Sequence, residues 1–135
     1  MIGIVLVTHG VLGDVLLETA RTIVGETPHC RCVGIDISKG MDAILDEVKG
    51  AAKACDQGSG VLILTDMFGG TPSNISLSLL VAGKLEVVTG VNLPLLLKVL
   101  AHRDLELHKL ASEAKSAGKQ GILVAGEVLR RRVEG

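Results

Sequence analysis

The chain has 135 residues; 47% are hydrophobic, yet Phe68 is its one aromatic residue. Lys plus Arg number 14 and Asp plus Glu 15, so no overall field draws the protein to nucleic acid or to an anionic membrane. Without aromatic platforms, base stacking and a sugar cleft floored by Trp or Tyr are excluded.

The length fits one domain spanning residues 1–135, large enough to bury a core without staples. Val, Ile, Leu and Ala must build that core, which suits short buried parallel strands. No uncharged stretch reads as a membrane span, so no direct membrane insertion is expected. Ile2 to Val7 lacks a preceding basic region and runs straight into Thr8-His9-Gly10, unlike a signal peptide. Cys30, Cys32 and Cys55 form an odd, sparse set without zinc spacing. On a strand, Cys30-Arg31-Cys32 alternate faces and offer no strain-free bridge. The expectations are a reduced, cytoplasmic compartment, no metal and no cofactor.

Strand and helix patterns alternate along the chain. Ile2 to Val7 reads as a strand buried on both faces. Residues 11 to 24 take helical spacing, with Leu12, Leu16, Ala20 and Ile23 as the apolar stripe and Gly25 as the stop. Cys30 to Asp36 is a second strand, Met41 to Cys55 a second helix, and Val61 to Thr65 a third strand. After Asp66-Met67-Phe68-Gly69-Gly70-Thr71-Pro72, Thr71 is placed to cap a helix running to Ala82, with Pro72 in its first turn. Leu85 to Val91 is a fourth strand. A short helix follows Asn92-Leu93-Pro94, and Asp104 is placed to cap a longer one ending between Gly118 and Gly121. Ile122 to Ala125 reads as a last short strand, and the tail from Glu127 to Gly135, with Arg130-Arg131-Arg132, as solvated. The fold expected is a single doubly wound α/β domain.

Ligands in such a sheet sit beyond the carboxyl ends of the strands, where the strand order reverses. An order of 2-1-3-4 makes the first and third strands neighbours, and so sets His9 beside Asp66. A carboxylate that accepts from Nδ1–H fixes the tautomer and leaves Nε2 outward as a nucleophile. Gly10 opens one helix and Thr71 another, offering amides and positive dipole ends to anionic oxygens. Gly69 and Gly70 allow close backbone approach. No Walker lysine or GxGxxG is present, so a phosphoryl group would have to come from a partner rather than from ATP.

Three motifs in order, Thr8-His9-Gly10, Asp66 to Pro72 and Gly90-Val91-Asn92-Leu93-Pro94, resemble the EIIA component of the mannose family of the phosphoenolpyruvate-dependent sugar phosphotransferase system (PTS). The resemblance spans essentially the whole chain. It implies that His9 accepts a phosphoryl group on Nε2 from HPr and donates it to EIIB, expected here as a separate polypeptide. It also implies that Asp66 orients His9 and that Thr71 lies beside the phosphate. A homodimer is implied as well, in which the final strand, here Ile122 to Ala125, pairs antiparallel with the other subunit's sheet. Met67 and Phe68 differ from the side chains of some relatives.

Asp66 and Thr71 taken alone read as ordinary caps, and Asn92 and Pro94 as turn residues shaping the rim of the site. Phe68 is the exposed aromatic placed to meet HPr or EIIB. His29, His102, His108 and the arginine run read as surface. Three other functions start from a similar pattern. A histidine phosphatase needs an arginine where Thr8 stands, and a tetrapyrrole metal chelatase needs a further ligand beside His9 and Asp66. A phosphorylation-state sensor would share the histidine chemistry without a transport role.

Overall fold

The computed structural model describes residues 1–134; Gly135, the end of the predicted solvated tail, lies outside them. Four strands, β1 (Gly3–His9), β2 (Cys30–Ile35), β3 (Val61–Thr65) and β4 (Leu85–Thr89), alternate with helices α1 (Leu12–Val24), α2 (Met41–Cys55) and α3 (Gly70–Leu77). After β4 come α4 (Leu93–Ala101), α5 (Leu107–Gln120) and α6 (Ala125–Glu134). All pairings between these four strands are parallel and the order is β2-β1-β3-β4, so the expected reversal lies between β1 and β3.

Strand periodicity divides the core into two layers. Ile4 and Leu6 of β1, with Leu62 and Leu64 of β3, pack against Ala20 of α1, Leu96 and Val99 of α4 and Leu110 of α5. Val5, Val7 and Ile63 face Ile44 and Val48 of α2 and Ile75 of α3. Both central strands are therefore apolar on both faces until their carboxyl ends, where Thr8, His9 and Thr65 stand. β1 is buried from Gly3 to Thr8 and surfaces only at His9, where the sheet ends.

At the opposite pole Arg103 is 6% exposed. Its Nε donates to the Ile2 carbonyl at 2.8 Å, and its terminal nitrogens to the carbonyls of Pro28 and His29. One buried guanidinium thus ties the starts of β1 and β2 together, its charge met by carbonyl dipoles rather than a carboxylate.

Several local expectations change. α1 buries Gly13, Leu17 and Ala20, while Leu12 and Ile23 are exposed. A Cβ on Gly13 would lie 3.2 Å from Leu6 and Thr8 atoms, so the small residue sets the inner face and rotates the stripe. Thr71 caps nothing: α3 begins at Gly70 with Gly69 as its N-cap, and it stops at Leu77, well short of Ala82. β4 ends at Thr89 because the Gly90 and Val91 amides both turn to the Thr65 carbonyl at 2.9 Å. Asp104 is not the cap of α5, whose N-cap is Glu106, and Gly118 is buried inside that helix against Leu95.

Ile122 to Ala125 forms no strand in the single chain. Ile122, Leu123 and Val124 link α5 to α6, and helix starts at Ala125. A strand exchanged between subunits needs a second chain's edge to pair with. The arginine run lies within α6. The three cysteines are free; Cys30 and Cys32, two apart on β2, share the layer of α1, while Cys55 faces the other. Burial pushes all three thiols up, Cys32 to about 11, which disfavours the reactive thiolate.

Candidate active site

The carboxyl ends of β1 and β3 bring His9 and Asp66 together. Asp66 Oδ2 lies 2.8 Å from His9 Nδ1 and also accepts the His9 backbone N–H at 3.0 Å. The other oxygen, Oδ1, accepts the Met67 amide at 3.0 Å. One carboxylate therefore fixes both the main chain and the ring of His9. The His9 side chain is 49% exposed and that of Asp66 11%, which leaves the imidazole open at its far edge.

Burial by itself would raise the Asp66 carboxyl, but the hydrogen bonds from the His9 amide and ring and the charge of His9 outweigh it and hold the group below the usual carboxylate range. Asp66 stays ionised wherever the fold persists near neutrality. A carboxylate on Nδ1 makes that nitrogen the donor, so Nε2 carries the free lone pair.

The backbone closes around that free edge. Gly69 and Gly70 adopt φ values of 87° and 79°, a region that side chains with a Cβ rarely enter. A Cβ on Gly70 would lie 3.5 Å from both Cε1 and Nε2 of His9. The N-terminal end of α3 therefore abuts the Nε2 edge of the His9 ring, and Thr71 sits in that first turn. Gly10, at φ 52°, directs its amide to the Ile35 carbonyl at 3.4 Å; it shapes the turn before α1, which starts two residues later.

The other expected residues hold different posts. Phe68 and Met67 are 74% and 55% exposed beside the pair. Asn92 caps α4 by accepting the Leu95 amide at 3.0 Å, and its Nδ2 donates to the Gly118 carbonyl at 3.1 Å, joining α4 to α5. Pro94 stands in the first turn of α4. Among the described residues no group of three His, Cys, Asp or Glu gathers as a metal site.

Two contributors went unread in the sequence. Buried Thr8 accepts the Gly13 amide on Oγ1 at 2.8 Å, pinning the start of α1 to the end of β1. Gly34, opposite Thr8 in the β1–β2 register, has the Gly10 carbonyl pressed over its Cα. Spacing hinted at the first, a threonine five residues before a glycine; nothing local marked the second. Gly34→Ala is expected to push the His9–Gly10 turn outward. It should lower stability by about 1–3 kcal/mol, as overpacking does, seen as a lower denaturation midpoint.

A protein-family profile described as "EIIA-man: PTS system fructose IIA component" matches residues 3–116. The fructose-specific EIIA component of Bacillus subtilis is 32% identical over 133 residues, 97% of this chain and 91% of that one. The chain belongs to the EIIA-man family. The mannose-specific EIIAB component of Escherichia coli K12 is 30% identical over 90% of this chain, which spans 38% of that longer protein. Among solved structures, an EIIA component from Streptococcus agalactiae superposes with a TM-score of 0.84 at 23% identity, covering 94% and 99% of the two chains. The IIA protein associated with the fucose utilization operon of Streptococcus pneumoniae gives 0.81 at 28%, covering 94% and 95%. As an EIIA-man protein the chain is a phosphoryl carrier of the sugar phosphotransferase system. None of the helices in the described residues is long and apolar enough to cross a membrane.

Proposed function

We propose that His9 is the covalent carrier, taking a phosphoryl group from the phosphohistidine of HPr and passing it to EIIB. The observation that carries this is the double hold of Asp66 on His9, which directs Nε2 outward. The Nε2 lone pair attacks phosphorus in line; the new N–P bond forms as the donor's N–P bond breaks, and the electron pair returns to the donor imidazole. The phosphorylated ring keeps Nδ1–H toward Asp66, whose charge stabilises the imidazolium. The phosphoryl oxygens are met by the first turn of α3, with Gly69, Gly70 and Thr71, and by the start of α1 after Gly10. Positioning carries most of the rate, since little proton transfer is required.

The surroundings suit a protein donor and acceptor. Val11, Ile37, Met41, Met67 and Phe68 are all more than half exposed on turns and helix starts at the carboxyl edge of the sheet, giving apolar area for docking. Asn92 and Pro94 form the far rim. With HPr as donor the protein works in the cytoplasm. Incubation with phosphoenolpyruvate, EI and HPr is expected to leave an acid-labile phosphoryl group on the protein, which EIIB then removes. A protein that stays unlabelled would sink the reading.

The homodimer belongs to the same reading. β4 lies at the edge of the sheet, and Ile122, Leu123 and Val124 are 75%, 70% and 60% exposed. An apolar run beside an unpaired edge is a strand-pairing element in waiting. Removing residues 121 to 135 is expected to shift the protein toward monomer in sedimentation velocity; an unchanged dimer rules the exchange out.

A further inference from the structure

The most unusual polar atom in the described residues is the hydroxyl of Ser73. Ser73 is 0% exposed, and its Oγ has no hydrogen-bond partner. Leaving a hydroxyl so placed forfeits its hydrogen bonds to water with nothing in return. Ser76, one turn further and equally buried, donates to the Pro72 carbonyl at 2.7 Å, so the helix can satisfy a serine and does not satisfy this one.

The position of Ser73 gives the vacancy a meaning. It follows Gly70 by one turn on α3, buried against the sheet where the Gly70 backbone is exposed. Side chains on a helix lean toward its N-terminus, which carries the Ser73 hydroxyl toward the Gly70 end that abuts His9 Nε2. The helix holds to the sheet lightly: its buried residues are Pro72, Ser73, Ile75 and Ser76, only one of them a large aliphatic. Its entry is the Gly69–Gly70 pair at positive φ, a joint able to absorb a change of backbone angle.

We propose that Ser73 is a hydrogen-bond donor held in reserve for the phosphorylated state, reached when α3 turns on the Gly69–Gly70 joint. This rests on His9 being the phosphoryl acceptor. A dianionic group on Nε2 draws the positive end of α3 inward. The Ser73 hydroxyl then donates to a phosphoryl oxygen, replacing an unpaired state with a charge-assisted bond. The unphosphorylated protein is left slightly destabilised and the phosphorylated one secured.

The test compares wild type, Ser73→Ala and Ser76→Ala, each before and after labelling with phosphoenolpyruvate, EI and HPr. Loss of the oxygen is expected to raise the unfolding midpoint of unlabelled Ser73→Ala and to shrink the gain in midpoint on phosphorylation. Its isolated phosphoprotein should lose phosphate about tenfold faster, the ratio one charge-assisted hydrogen bond supplies. Ser76→Ala should shift both forms alike. Equal shifts and equal decay for Ser73→Ala overturn the proposal while leaving the carrier function standing. Wild type that takes no label overturns both.

Discussion

The His9→Ala protein is expected to take no acid-labile label from phospho-HPr, and to block onward transfer to EIIB completely. The loss is total because no second group can stand in. His29, His102 and His108 are exposed, and among the described residues His9 is the histidine found in an ion pair with a carboxylate. Fold should survive, since the ring is half open to solvent and β1 is held through its buried residues up to Thr8. Label measured on the purified variant, with circular dichroism matched to wild type, decides the matter. Label that persists after the substitution removes His9 from the mechanism.

Asp66→Asn is expected to slow phosphoryl uptake on the order of tens-fold or more, as loss of a ring-orienting carboxylate does elsewhere. The amide retains the shape and one acceptor, but its NH₂ can present a donor to Nδ1, and then the ring proton moves to Nε2, the atom that must attack. It also removes the negative charge that steadies the imidazolium. Rapid-quench labelling with saturating phospho-HPr separates this from a docking defect, and an unchanged rate would exclude the orienting role.

The same substitution has a stability signature with a definite sign. The folded protein holds the Asp66 carboxyl below its ordinary range, so its contribution is fully present above the unfolded carboxyl's pKa. It is lost as pH falls through the lower folded value. Wild type should therefore lose more stability than Asp66→Asn between neutral and strongly acid solution. Denaturant midpoints across that range, compared between the two proteins, give the result; parallel curves would show that the pair contributes no such linkage.

How far the sequence revealed this depends on the length scale of each cause. The doubly wound architecture followed from strand and helix patterns in alternation, with apolar runs too continuous for surface sheet, whereas the order 2-1-3-4 was assumed for such a sheet rather than read from any residue. β3 and α2 fall at their predicted limits because the pattern and the breakers agree there. His9 and Asp66 were legible together, since they end strands that the doubly wound order makes neighbours. Thr71 was misread because serine and threonine cap helices by habit, whereas here the two glycines before it carry the turn. The stripe of α1 was misplaced because Gly13, a residue without a side chain, defines the close-packed face. Gly34 and the unpaired Ser73 were beyond reach: each matters through what another segment places against it.

The clamp that Arg103 makes with Ile2, Pro28 and His29 sits at the start of β1, and His9 sits at its finish. Seven strand residues at about 3.3 Å each separate the two ends by roughly 20 Å. Met1 lies just beyond the clamped end, its amino group 3.5 Å from Ser59 Oγ. A fluorophore or surface tether attached there would hang from the clamped end of β1, opposite the end that carries His9. On the proposal that His9 is the carrier, the protein immobilised on a sensor by that end is expected still to exchange phosphoryl groups with partners arriving from solution.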